Sequence, residues 1–87
     1  MKAPERFSFD WILESNENRK AECLDFYTKN GYDIVLLSVQ TNFATPEWIQ
    51  KYEVGNPLFG GVRTYRSYKR ARAYFDRIVG LLDKKEE

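Results

Sequence analysis

The 87-residue chain has no histidine, one cysteine and 31% charged side chains that balance to a net charge of +1. With Cys23 alone, a Cys-His nucleophile pair, a Cys/His metal site, a redox pair and an intramolecular disulfide are all excluded. The apolar fraction of 43% and aromatic fraction of 16% exclude a disordered chain, because that much apolar area can offset the entropy of ordering.

The length fits one small α+β domain over residues 1–87, with a charged C-terminal tail at 83–87. Phe7, Phe9, Trp11 and Leu13 alternate with Ser8, Asp10 and Ile12, which predicts a strand over 6–14. Ser15 to Asn18 offer capping oxygens, and Ala21, Leu24 and Tyr27 recur at helical spacing, which predicts a helix over 17–29 closed by Gly31. Asn30-Gly31 is equally a hairpin turn signal. On that alternative, Leu24 and Phe26 share one face of a strand and Cys23, Asp25 and Tyr27 the other.

Tyr32 to Gln40 is apolar on both alternating faces through Ile34-Val35-Leu36-Leu37, the pattern of a central strand covered on both sides. Thr45-Pro46-Glu47-Trp48 reads as the start of a short helix that ends before Gly55, and Val62 to Arg66 as a short strand. The alternative for this region is a long hairpin pairing Gln50 to Val54 with Val62 to Arg66. Ser67 caps a last helix, whose Tyr68, Ala71, Phe75, Ile78, Val79 and Leu82 form one apolar stripe. Lys69, Arg70, Ala73 and Arg77 lie nearly opposite. The expected architecture is therefore a three-stranded sheet with two main helices and one short helix, in the order β-α-β-α-β-α.

The charge is unevenly placed. Residues 1–61 carry six basic and nine acidic side chains, and residues 62–87 carry eight basic and four acidic. The excess lies in a segment where Arg63, Arg66, Lys69, Arg70, Arg72 and Arg77 interleave with Tyr65, Tyr68 and Tyr74. Cations neutralise phosphates or carboxylates and tyrosine planes stack on bases, so Arg63, Tyr65, Arg66, Lys69, Arg70, Arg72, Tyr74 and Arg77 are candidate contacts for a protein or nucleic acid. The plainer reading places Tyr68 in the core stripe, Tyr65 on a sheet face and the arginines on a solvated helix face, paired with acids elsewhere.

Leu58 and Phe59, between Pro57 and Gly60-Gly61, form a candidate apolar docking loop. An exposed tryptophan at position 11 or 48 would also point to an interface. Gly60-Gly61 lacks the spacing of a phosphate loop. Asp10, Glu14, Asp25 and Asp33 read as solvated acids and Cys23 as a small buried hydrophobe, so neither enzymatic activity nor a cofactor is expected.

The expected function is a non-catalytic module acting through protein-protein contacts. A nucleic-acid-binding domain and a homo-oligomeric structural protein are the alternatives. In its brevity, its abundant Tyr and Asn and its lack of catalytic motifs the chain resembles small accessory proteins of phages and other mobile elements, which implies an inhibitor or adaptor. With no apolar signal core in Met1 to Asp10 and no apolar run longer than Ile34 to Leu37, a cytoplasmic chain is expected, with no membrane partner.

Overall fold

Four strands and one long helix follow a short 3-10 turn at Asp10–Leu13. The structure is a computed structural model that describes residues 10–29, 31–43, 46–56 and 61–84. Strands β1 (Arg19–Lys29), β2 (Tyr32–Thr41), β3 (Ile49–Asn56) and β4 (Gly61–Tyr65) form an antiparallel sheet in chain order, and α1 (Tyr68–Lys84) packs on one face. This corrects the expected architecture of three strands and two main helices. The two segments read as the first helices, 17–29 and the stretch before Gly55, are strands.

β1 shows why its sequence looks helical. The β1–β2 register shifts between Cys23 and Asp25, so Leu24 is an extra residue. Leu24 and Tyr27, three apart, therefore reach the α1 face together, while Ala21, Cys23 and Phe26 pack on the other. A bulge has turned a period of two into an apparent period of three. It also separates Leu24 from Phe26, which the hairpin alternative had placed together. Gly31, at φ 79°, holds the left-handed backbone that the hairpin turn requires, and Lys29 pairs with Tyr32 on either side.

β2 is the central strand its sequence predicts. Ile34 and Leu36 enter the cluster under α1, and Val35, Leu37 and Val39 enter the opposite one. Such a strand needs a hydrogen-bonded neighbour on each side, and β3 supplies the second one despite the local helix-start signal. Thr45 lies outside the described residues. β3 and β4 pair from Tyr52↔Tyr65 to Asn56↔Gly61, so the long-hairpin alternative holds for Tyr52 to Val54 but not for Gln50 and Lys51, and the pairing continues past it to Asn56.

The predicted strand 6–14 is corrected over its described part, because Asp10–Leu13 is a 3-10 turn. Residues 6–9 lie outside the described residues. The turn buries Ile12 among Cys23, Val35, Leu37 and Val39. On the other face, α1 starts at Ser67, whose carbonyl accepts from the Ala71 N–H at 3.1 Å and whose Oγ accepts from the Arg70 N–H at 3.4 Å. Ala71, Phe75, Ile78 and Leu82 are its buried stripe. Tyr68 is instead exposed and sets its ring against Tyr52 at 5.6 Å.

Candidate functional site

The short β4 and the start of α1 are adjacent in sequence, so their side chains meet without a long loop. Arg63 and Tyr65 alternate onto the α1 face of β4. Tyr74, Arg77, Ile78 and Leu81 come from α1, and the six line a groove of about 370 Å³. The Arg63 guanidinium lies 4.9 Å from the centroid of Tyr74, and the Tyr65 ring contacts Tyr74 at 5.9 Å. Four of the sequence-predicted residues thus come together: Arg63, Tyr65, Tyr74 and Arg77.

Arg66, Lys69 and Arg70 are exposed at the β4–α1 junction and in the first helical turn. Arg72 is placed apart from them. It forms ion pairs with Asp25 at 2.7 Å and Asp76 at 3.3 Å, and its guanidinium lies 5.2 Å from the centroid of Phe75. The hydrogen bond to Asp25 raises its pKa further, so it stays charged throughout. Leu58 and Phe59 lie outside the described residues.

Among the described residues, Arg63, Arg66, Lys69, Arg70 and Arg77 make no ion pair. Several described acids are engaged elsewhere. Asp25 and Asp76 hold Arg72, Glu53 holds Arg19, and Asp83 holds Lys29. The plain reading of paired arginines therefore describes Arg72 and not Arg63, Arg66, Arg70 or Arg77.

A second exposed region was missed in the sequence. Trp48 (37% exposed) and Ile49 (45%) sit at the start of β3, with Lys20 Nζ 4.4 Å above the Trp48 ring. Beside them Ile49, Gln50, Lys51, Thr64, Tyr65 and Arg66 line a larger cleft, about 610 Å³. The signal available was only conditional, that Trp48 reads as core or rim packing unless it is left exposed. The helix assigned there hid the rest.

The described residues contain no group of three or more His, Cys, Asp or Glu side chains able to hold a metal ion. Asp33 accepts from the Thr28 hydroxyl at 2.6 Å, and burial pushes the Cys23 thiol up from its ordinary pKa, which keeps it protonated at neutral pH. Among the described residues, no helix is long and apolar enough to cross a membrane. No protein-family model matches the chain, and neither a curated protein nor a solved structure is significantly similar to it.

Proposed function

We propose that the protein is a non-catalytic binding module that docks on an acidic protein surface through β4 and α1, in the manner of an adaptor or inhibitor. The observation that carries this reading is the set of five cations, Arg63, Arg66, Lys69, Arg70 and Arg77, without an ion pair among the described residues. Lys69 and Arg70 stand in the first turn of α1, where the helix dipole disfavours positive charge by about 0.3–1 kcal/mol each. A docked carboxylate offsets that cost.

An acidic protein fits better than a nucleic acid because the tyrosines are already engaged. Arg63 covers Tyr74, Tyr65 packs on Tyr74, and Tyr68 meets Tyr52 edge to face, which leaves Tyr68 as the one exposed ring among these for a base to stack on. Exposed Trp48 and Ile49 add apolar anchors of the kind found at protein interfaces.

Fluorescence anisotropy with labelled poly-glutamate and a labelled 12-nucleotide single-stranded DNA tests the reading. The triple variant Arg66→Ala, Lys69→Ala, Arg70→Ala is expected to bind poly-glutamate about tenfold more weakly, at up to about 1 kcal/mol per exposed charge. Unchanged poly-glutamate binding, or tighter binding of the DNA than of poly-glutamate, would overturn it.

A further inference from the structure

β3 has eight residues and β4 only five, and among the described residues the difference leaves part of a sheet edge open. Pairing with β2 runs on to Gln40↔Gln50 and Thr41↔Ile49, whereas pairing with β4 stops at Tyr52↔Tyr65. Ile49–Lys51 therefore have a neighbouring strand on one side only, among the described residues. The chain leaves the lane of β4 at Arg66 to begin α1. The space it vacates is the 610 Å³ cleft beside Ile49, Gln50 and Lys51.

A free strand edge presents main-chain N–H and C=O groups at the spacing of an extended chain, which another extended chain matches best. The side chains around this edge narrow the chemistry. Lys51 and Arg66 line the cleft without an ion pair among the described residues. Ile49 and Lys51 share one face of β3, since residues two apart on a strand do. We infer that Ile49–Lys51 accept an extended segment of the acidic partner as an added antiparallel strand, with an acidic side chain opposite Lys51 and an apolar one, two residues on, opposite Ile49.

A second copy of this chain is a poor occupant, because edge-to-edge pairing would bring Lys51 and Arg66 close to their own counterparts. Lysine on an edge strand is a common device against self-pairing. The inference rests on the acidic-partner reading and adds to it the form in which the partner binds.

The test uses the full chain, ¹⁵N-labelled, and the blocked hexapeptide Glu-Thr-Val-Thr-Glu-Thr, whose first residue stands opposite Lys51 so that none falls opposite Tyr52, already paired with Tyr65. Two further versions are N-methylated at odd or at even positions. The parent peptide is expected to slow amide exchange at Gln50 severalfold, because the Lys51 carbonyl, and by alternation the Ile49 and Lys51 main chains, already face β2. One methylated version, the one blocked on the pairing edge, is expected to lose at least about tenfold in affinity while the other binds as the parent does, and Lys51→Glu to weaken the parent about tenfold. Equal binding of all three peptides overturns strand addition and leaves the acidic-partner reading standing, as does poly-glutamate binding with no hexapeptide binding. Failure of both ligands to bind overturns both. Concentration-dependent protection of Gln50 without peptide would identify a second copy as the occupant and overturn the inference.

Discussion

Arg19 reaches from β1 across β2 to Glu53 on β3, donating at 3.0 and 2.8 Å to the two carboxylate oxygens and at 2.6 Å to the carbonyl of Ile12. One side chain thus ties the 3-10 turn to the far side of the sheet. Both partners are nearly withdrawn from water, with side-chain exposures of 12% and 11%. Removing one of them leaves a buried charge unpaired, so Arg19→Ala is expected to cost about 3 kcal/mol in urea denaturation. That is a large share of the roughly 5–15 kcal/mol a domain has. The double replacement Arg19→Met, Glu53→Leu is expected to recover most of it, because apolar groups of similar volume carry no desolvation penalty. A double variant no more stable than Arg19→Ala would contradict the assignment.

At the level of elements, the end of α1 is joined to β1 through Asp83, which accepts from the Tyr27 hydroxyl and from Lys29 Nζ. These hydrogen bonds, Tyr27 first, hold the Asp83 carboxyl below its ordinary pKa. A folded-state pKa lowered in this way contributes stability that is present above the unfolded value and lost as pH falls through the folded one. Thermal melts of wild type and Asp83→Asn are expected to differ near neutral pH and to converge in acid. A constant difference at every pH would show that the charge is not involved.

Asp83, the first residue of the expected charged tail at 83–87, lies within α1. Elements with a single clean period, β2 and α1, were legible in the sequence. β1 was not, because the bulge at Leu24 breaks the alternation, and β3 was not, because Thr45-Pro46-Glu47 signals a helix locally while the needs of β2 act from a distance. The same division holds for the site. Arg63, Tyr65, Tyr74 and Arg77 were legible because they come from consecutive elements. The open edge at Ile49–Lys51 was not, since it is defined only by where β4 stops beside β3.

For the molecule as a whole, the helix covers one end of its sheet face, and a polar groove of about 300 Å³ involving Lys20, Glu22, Ser38, Gln40 and Gln50 lies at the other. The net charge of +1 conceals a local excess, in which Asp25, Glu53, Asp76 and Asp83 are drawn into structural pairs and five cations stay available along β4 and α1. Charge arranged in this way steers and orients an anionic partner more than it holds the fold together. The most direct measurement is an NMR titration of the ¹⁵N-labelled protein with poly-glutamate at about 150 mM salt, where long-range screening is already substantial. The amide shifts are expected to concentrate at Arg63, Arg66, Lys69, Arg70 and Arg77. Shifts confined to other surfaces, or none at saturating polymer, would contradict it.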